Sequence, residues 1–463
     1  MLDETASSLA ARIDGQLLVS GAPGYDEARA VWNAMVDRRP SYILRCANVA
    51  DVCTTVRFAR DRRLEIGVRC GGHGVLGPAV PEGGLMIDLA AMNRVRVDPE
   101  RRRARVQGGA LLGALDGATQ EHGLATTAGN VSHTGVGGLT LGGGMGWLAR
   151  QFGLTCDNVT AFELVTAEGN VVRATATQND DLFWGLRGGG GNFGVVTEFE
   201  FQLHPVAPQA LVANFFYPID AAPSVLQGWR DLIVESPRRT TFTAGVGDAP
   251  PSMPAELQGR PLARVGFVWL GDPDQCRSTL GAVRDLGRPV AEGIQEASYL
   301  ELQRMDDDEE GHHLRRYWKG HYFREFSDDA IEAFLLRGTP DGHGELLPAA
   351  SLQAYGGAIA DVPDDDAAFS HRDTLVEFVA AARWTDHMED EQRMGVARRY
   401  ATSLDRYAAG AYVNVLTDEG QAGVRRAYPP AKLALLTALK DAYDPDNVFH
   451  LNHNIRPSGD VIK

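Results

Sequence analysis

The sequence predicts an α+β fold divided into more than one domain, and three observations lead to this prediction. The chain has 463 residues, which is more than a single hydrophobic core usually organises. Helix-like and strand-like hydrophobic patterns alternate along it. The chain also contains 52 glycines, and many of them are clustered in turns between short strands, where the backbone can approach another group closely.

Residues 1–205 are predicted to form the first domain. Its helices are expected at 24–36, 49–63 and 110–122, and a further helix is expected to open at 144–149. Its strands are expected at 41–45, 85–89, 103–109, 159–166, 171–175 and 195–203, and residues 66–69 lead into a glycine turn. The last strand is followed by His204-Pro205, which marks the predicted boundary of the domain.

Residues 206–410 are predicted to form a second domain, because the glycine clusters are absent there and strand patterns alternate with amphipathic helices. Its clearest strand patterns are at 211–217, 263–270 and 351–359. Residues 411–463 form a C-terminal segment with a predicted helix over 431–442. This segment is too apolar for a solvated tail, so we expect it to return to the first domain.

The charge of the chain argues against two classes of partner. Lys and Arg number 45 against 61 Asp and Glu, a formal net charge of −16. Such a surface repels phosphate backbones and anionic membranes. We therefore expect neither a nucleic-acid nor a membrane partner, and the oligomeric state is left open.

The cysteines and the N-terminus predict a cytoplasmic protein. The five cysteines are scattered and contain no CxxC pair, so neither a disulfide framework nor a zinc site is indicated. The N-terminus lacks the pattern of a secretory signal, and no apolar stretch approaches the roughly 18 residues that span a bilayer.

Three glycine clusters predict a dinucleotide cofactor, because successive backbone N–H groups in such turns can surround a pyrophosphate. They lie at 69–77, 135–146 and 188–194. Gly189, Gly191 and Gly194 match the spacing G-x-G-x-x-G, but a predicted strand follows them instead of a helix. A nicotinamide-binding Rossmann site is therefore the weaker alternative.

The segment Arg69-Cys-Gly-Gly-His-Gly places His73 between glycines, where its ring can meet a planar ligand. It resembles the R-x-G-G-H signature of covalent flavoproteins of the vanillyl-alcohol-oxidase type, specifically the berberine-bridge-enzyme-like branch. The resemblance spans nearly the whole chain and is carried further by residues 153–159, 181–197, 412–414 and 443–457. It implies a two-subdomain PCMH-type FAD-binding domain and a substrate domain whose antiparallel sheet is covered by helices.

The resemblance also implies FAD whose 8α-methyl carbon is bonded to the imidazole of His73. Such a bond retains the cofactor and raises its reduction potential. Many relatives add a second bond from a cysteine, but the matching position here is Val131, so no cysteinyl bond is expected. The implied cofactor-binding residues are Arg69, Cys70, Gly71, Gly72, His73, Gly74, Gly77, Gly129, Asn130, Thr134, Gly135, Gly137, Gly138, Gly142, Gly143, Gly146, Gly194, Val196, Tyr412, Asn414, Asn452 and Asn454.

Tyr412 is the candidate catalytic residue. Tyr412-Val-Asn414 resembles the Y-x-N strand that lies beside the flavin in this family. Its hydroxyl either accepts the substrate proton, which requires a lowered pKa, or its ring only packs on the flavin. In the second case the candidate catalytic residue is Tyr317, His321 or Tyr355 instead.

The resemblance implies an oxidase that takes a hydride from a small alcohol, amine or secondary metabolite and is reoxidised by dioxygen. Thr134 supports this, because its β-branched bulk resembles the valine that admits oxygen to the flavin in relatives. The alternatives are a dehydrogenase with another acceptor and a flavoprotein that sequesters a drug.

No metal is expected, because His312, His313 and His321 fit no metal-ligand spacing. His133 either assists proton transfer or only binds backbone.

Overall fold

The computed structural model describes residues 4–250, 253–344 and 346–459. The ends of the predicted first and C-terminal domains, at 1–3 and 460–463, lie outside these residues. Helices and mainly antiparallel sheets are combined, so the predicted α+β fold is confirmed. Among the described residues no helix is both long and apolar enough to cross a membrane.

Two sheets and a short strand pair form the part of the molecule that carries the glycine turns. In the first sheet three strands run parallel and an edge strand runs antiparallel, in the order Gln16–Leu18, Tyr42–Arg45, Leu85–Asp88 and Ile66–Arg69. The second sheet is antiparallel, in the order Val95–Asp98, Arg103–Gln107, Val195–Gln202, Val159–Val165 and Val171–Thr175. Leu124–Ala125 pairs with His204–Pro205.

The third large sheet has seven antiparallel strands and lines one side of a cavity, opposite the glycine turns. Its strand order is Ala291–Ser298, Gln209–Pro218, Pro261–Leu270, Thr240–Asp248, Ala349–Ala354, Val376–Trp384 and Arg315–Phe323. Because successive side chains of a strand point to opposite faces, Val376, Phe378 and Ala380 pack in a core with the covering helices. Glu377 and Val379 point the other way and line a cavity.

The helices cover the sheets and connect their strands. The α-helices are Glu4–Ala10, Tyr25–Arg29, Val49–Asp61, Leu112–Gln120, Val136–Leu141, Ala149–Phe152, Asp180–Leu186, Ala222–Glu235, Arg277–Arg284, Tyr299–Leu302, Asp328–Leu336, Ala358–Asp361, Asp390–Leu404, Gly420–Ala427 and Pro430–Tyr443. Short 3-10 helices lie at Thr155–Asn158, Pro273–Cys276, Asp364–Asp366, His387–Glu389, Asp405–Tyr407 and Val413–Val415.

The predicted helix over 24–36 was too long, because the observed helix ends at Arg29. Beyond it, the backbone N–H of Trp32 donates to the carbonyl oxygen of Gly72 at 3.1 Å. The side chain of Asn33 donates to the carbonyl oxygens of Val75 and Arg316. These tertiary hydrogen bonds replace those of a longer helix.

Three further element predictions were wrong in detail. The strand predicted over 351–359 ends at Ala354, because Gly356 and Gly357 adopt φ values of 80° and 59° before a helix begins at Ala358. The helix predicted to open at 144–149 begins only at Ala149. The segment predicted as a Y-x-N strand contains the 3-10 helix Val413–Val415.

The C-terminal segment contacts the glycine-rich part of the chain. Helix Pro430–Tyr443 packs against helix Asp180–Leu186. Buried Lys440 donates to the carbonyl oxygens of Asn192 and Phe449 at 2.8 and 2.9 Å. These bonds hold residues 449–453 near the third glycine cluster, where they line the cavity.

Candidate active site

A cavity of about 510 Å³ lies between the glycine turns and the seven-stranded sheet. Its walls come from residues 66–79, 129–145 and 190–196 on one side, and from 351–353 and 377–379 on the other. Residues 412–416 and 449–453 complete it. The fold therefore joins segments that are far apart in the sequence around one space.

Most of the residues predicted to bind the cofactor line this cavity. They are Cys70, Gly71, Gly72, His73, Gly74, Gly77, Gly129, Asn130, Thr134, Gly135, Gly137, Gly138, Gly194, Val196, Tyr412, Asn414 and Asn452. Val131, which occupies the position of the relatives' cysteine, also lines it.

The other five predicted residues do not line the cavity. Arg69 pairs with buried Asp88 at 2.7 Å. A Cβ atom on Gly142 would lie 2.1 Å from Oδ1 of Asn414, and one on Gly146 would lie 1.7 Å from the carbonyl oxygen of Ala128. Gly143 lies against the ring of Phe369. The backbone carbonyl of Asn454 accepts a hydrogen bond from Gln421, while its side-chain Oδ1 is buried without a partner among the described residues.

The first two glycine clusters touch each other at Gly71 and Gly135. A Cβ atom on Gly71 would lie 2.3 Å from the backbone nitrogen of Gly135, and one on Gly135 would lie 2.3 Å from that of Gly71. No side chain fits between the two turns, so glycine is required at both positions by close approach of the backbones.

The cavity wall fits FAD, because it carries polar atoms that the protein leaves unpaired. Oδ1 of Asn130 and Oδ1 of Asn452 are buried and have no hydrogen-bond partner among the described residues. Buried acceptors without partners cost free energy unless a ligand satisfies them. Both asparagines line the cavity beside the glycine turns, where a flavin nucleotide offers hydroxyl and N–H donors.

His73 is held by four neighbouring side chains. Its ring stacks on Trp32, with centroids 4.6 Å apart and an interplanar angle of 16°. Nε2 of His73 lies 2.7 Å from Nδ1 of His133, and Nδ1 of His73 lies 3.3 Å from the Thr134 hydroxyl. The ring of His312 is edge-on at 6.0 Å.

This environment keeps His73 neutral. Burial, together with His133, His312 and Arg316, holds the pKa of His73 far below its usual range. A neutral imidazole has a nitrogen lone pair and is a nucleophile. Sequence reasoning missed Trp32, because that residue fell inside a predicted helix.

The Tyr412 hydroxyl accepts two hydrogen bonds. The backbone N–H of Gly144 donates to it at 2.8 Å, and Nδ2 of Asn414 donates at 2.9 Å. Burial raises the pKa of Tyr412 well above its usual range, and Glu377 adds to the rise, although the two hydrogen bonds oppose it.

Glu377 is a further ionisable group in the cavity wall, and sequence reasoning missed it. It accepts a hydrogen bond from the Tyr355 hydroxyl at 2.7 Å, and the hydroxyls of Tyr355 and Tyr322 are 3.2 Å apart. Burial raises the pKa of Glu377 to about 7, although the bond from Tyr355 opposes the rise. The available signal was a single acid within the apolar run 376–382.

Two further residues of the cavity wall carry buried donors: Gln353, opposite Glu377 in the sheet register, and Trp318, opposite Ala381. Nε2 of Gln353 and Nε1 of Trp318 have no hydrogen-bond partner among the described residues, and both residues line the cavity. With Glu377 they provide two donors and one carboxyl group for a substrate.

The other alternative catalytic residues are engaged elsewhere. The Tyr317 hydroxyl donates to Asp418 at 2.8 Å. Buried His321 lies 2.9 Å from the carbonyl oxygen of Ala401, in the helix that covers the sheet. Neither residue lines the cavity, whereas Tyr355 contacts its wall through Glu377.

Comparisons with known proteins identify the family of this chain. Residues 40–175 match the family described as FAD binding domain, and residues 411–456 match the family described as berberine and berberine like. The (R)-6-hydroxynicotine oxidase of Paenarthrobacter nicotinovorans is 31% identical over 469 residues, covering 96% of this chain and 98% of the relative.

Two solved structures have the same fold. The 6-hydroxy-D-nicotine oxidase from Arthrobacter nicotinovorans is 28% identical with a TM-score of 0.84, covering 96% of this chain and 98% of its own. The glucooligosaccharide oxidase from Acremonium strictum is 23% identical with a TM-score of 0.87, covering 98% and 99%.

The fold and the matched segments define an FAD-dependent oxidoreductase with a PCMH-type FAD-binding domain. Within that class, the chain belongs to the berberine-bridge-enzyme-like family of FAD-linked oxidoreductases. The resemblance inferred from the sequence is confirmed.

Proposed function

We propose that this chain is an FAD-dependent oxidase that holds its flavin by one bond to His73 and oxidises a small alcohol or amine. The observation that carries this proposal is the composition of the cavity. It combines a neutral histidine, unpaired amide oxygens beside glycine turns, and a carboxyl group on the opposite wall.

The glycine turns and Asn130 and Asn452 would hold the cofactor, and His73 would anchor it. When bound, FAD accepts a hydride from the substrate and passes the electrons to dioxygen, which yields hydrogen peroxide. The protein supplies orientation, a mostly apolar cavity and a proton acceptor.

A single covalent bond is favoured by Val131. The FAD of the glucooligosaccharide oxidase is described as both 6-S-cysteinyl and 8α-N1-histidyl. Val131 lines the cavity but has no nucleophilic atom, so it cannot form the relatives' cysteinyl bond, which supports a single bond to His73.

Glu377 is better suited than Tyr412 to accept the substrate proton. A general base works best when its pKa is near the working pH, and the pKa of Glu377 is about 7. The Tyr412 hydroxyl already accepts two hydrogen bonds, and its pKa is raised. We therefore assign proton acceptance to Glu377 and retain Tyr412 as a residue that orients the flavin and the substrate.

The polar atoms of the cavity wall favour a substrate with both donor and acceptor groups. Gln353 and Trp318 offer N–H donors, and most of the cavity wall is apolar. The relative named (R)-6-hydroxynicotine oxidase makes cyclic amines a first choice for a substrate panel.

Rapid mixing tests the proposal. A panel of alcohols and amines is screened anaerobically for bleaching of the flavin absorbance, and the reduced protein is then mixed with dioxygen. We expect bleaching by at least one compound, rapid reoxidation and stoichiometric hydrogen peroxide. Slow reoxidation by dioxygen but fast reoxidation by an artificial acceptor would instead identify a dehydrogenase. Tight retention of a compound without product would identify a binding protein.

A further inference from the structure

Three histidines meet at the proposed flavin anchor, and their side-chain nitrogens lie within 4.8 Å of one another. His73 and His133 are joined by the 2.7 Å contact between Nε2 and Nδ1. Nε2 of His133 lies 3.4 Å from the backbone carbonyl oxygen of Asp307. His312 is exposed and contacts both rings without a hydrogen bond between them among the described residues.

These contacts determine where the protons are. A carbonyl oxygen only accepts, so Nε2 of His133 carries the hydrogen that is donated to Asp307. In a neutral ring, Nδ1 of His133 is then an acceptor, and Nε2 of His73 must donate to it. Nδ1 of His73 is left with a lone pair, and the Thr134 hydroxyl can donate to it at 3.3 Å.

The position of His133 is itself fixed by the second half of the chain. The carboxylate of Asp307 accepts hydrogen bonds from the backbone N–H of Ser132 at 2.8 Å and from the Ser132 hydroxyl at 2.6 Å. Asp307 therefore holds the turn through Ser132 and contacts the His133 ring through its own carbonyl oxygen.

A bond from Nδ1 of His73 to carbon would leave a positive charge on that ring unless Nε2 loses its proton. The ring is largely buried, and its surroundings already disfavour the cation. The acceptor nearest to this proton is Nδ1 of His133.

We propose that His133 is the base for attachment of the flavin, taking the Nε2 proton of His73 while Nδ1 of His73 bonds to the 8α-methyl carbon of FAD. This inference rests on the proposed covalent linkage. One C–H bond of the methyl group and one N–H bond of His73 break, and one C–N bond forms. Two electrons and two protons pass to the isoalloxazine and then to dioxygen, which is reduced to hydrogen peroxide.

Two substitutions at His133 distinguish two roles for this residue: a base that takes the proton of His73, or a group that only orients the His73 ring. His133→Ala removes the acceptor. His133→Asn keeps an oxygen that can accept the hydrogen bond from Nε2 of His73 but cannot take its proton at neutral pH. His312→Ala is the matched control, because it removes a neighbouring imidazole and leaves the contact between His73 and His133 in place.

The readout is bond formation, measured apart from turnover. FAD is added to protein produced under riboflavin limitation, and samples are denatured over time and scored for flavin fluorescence in the protein band of a gel. Total FAD uptake is measured in the same samples. We expect both His133 variants to take up FAD and to form the bond at least about 100-fold more slowly than wild type, in line with general-base effects. Added imidazole should accelerate His133→Ala, and His312→Ala should match wild type.

Other results would overturn the inference. Bond formation in His133→Ala at the wild-type rate would exclude His133 as the base. A wild-type rate of bond formation in His133→Asn would show that His133 only positions His73. Loss of FAD uptake in both His133 variants would make it part of the binding site and not a base. Failure of the wild-type protein itself to form the bond would be a different result, because it would refute the proposed histidyl linkage.

Discussion

At the scale of single residues, Glu377 and Tyr412 differ in what their oxygen atoms can do. The carboxyl group accepts one hydrogen bond, from Tyr355, and its pKa lies near neutrality. The Tyr412 hydroxyl accepts two hydrogen bonds, and its proton is held more tightly than usual. Both residues line the same cavity. Substituting each in turn shows which of them accepts the substrate proton and which only positions the substrate or the flavin.

We expect Glu377→Gln to slow flavin reduction by about 10²- to 10⁴-fold, the usual contribution of a general base. Gln keeps the acceptor for the Tyr355 hydroxyl but cannot take a proton. Tyr412→Phe, which keeps the ring and loses only the hydroxyl, should change the rate by less than about tenfold, because positioning alone is affected. Anaerobic rapid mixing with the best substrate measures both rates. The reverse ranking would restore Tyr412 as the base.

The pKa of Glu377 also predicts the pH dependence of flavin reduction. Only the ionised carboxylate accepts a proton, so at low substrate concentration the rate should fall below about pH 7 and level off above it. The measurement is the second-order rate constant of flavin reduction between pH 5 and 9. Glu377→Gln is the control and should lose this dependence.

The covalent bond is a second prediction at the residue scale. Acid precipitation should leave the flavin on the wild-type protein, and His73→Ala should release all of it into the supernatant. After proteolysis, mass spectrometry should find the flavin on the peptide that contains His73. The peptide that contains Val131 should carry no modification, and a flavin there would contradict the single-bond assignment.

At the scale of elements, helix Pro430–Tyr443 holds part of the cavity wall through a buried cation. Lys440 and Asp444 are completely buried and pair at 2.7 Å. Burial lowers the pKa of Lys440, and Asp444 opposes this effect. The same ammonium group donates to Asn192 and Phe449, so it connects the helix to two cavity-lining segments.

We expect Lys440→Met to lower the free energy of unfolding by about 3–5 kcal/mol, because it leaves the carboxylate of Asp444 buried without its cation. Arg277→Met is the control, since Arg277 and Asp274 form an ion pair with side chains 78% and 77% exposed. Such exposed pairs contribute about 0–1 kcal/mol. Urea unfolding followed by circular dichroism measures both changes. Equal effects would show that the buried pair does not stabilise the segment.

At the scale of the whole molecule, FAD should stabilise the fold, because the cavity is formed by segments from the beginning, middle and end of the chain. A ligand that binds only the folded state adds about 2.7 kcal/mol at 100 times its dissociation constant. Added FAD should therefore raise the thermal midpoint of His73→Ala protein that has been stripped of flavin. Riboflavin should raise it less, because it cannot contact the turns expected to bind the pyrophosphate.

The control for this experiment is the wild-type protein with its flavin attached. Its cavity is already filled, so added FAD should leave its midpoint unchanged. A comparable rise in the wild-type protein would indicate binding of FAD outside the cavity.

The sequence by itself determined the class of fold, the family and most of the cavity wall. Glycine spacing and the surroundings of His73 are local, so the clusters at 69–77 and 135–146 were recognisable without a structure. The strand at Val171–Thr175 was predicted with its observed bounds. Strand and helix patterns failed where tertiary contacts outweigh local preference, as at Trp32 and Asn33.

Only the tertiary structure decided which side chains meet. Glu377 faces the cavity because the alternation of its strand directs Val376 and Phe378 into the helix-covered core. His133 acquires its tautomer from Asp307, which lies far along the chain. Periodicity specifies which face of an element is buried, but not which distant element it contacts. For that reason, the candidate base for substrate oxidation and the candidate base for flavin attachment both became visible only in the folded chain.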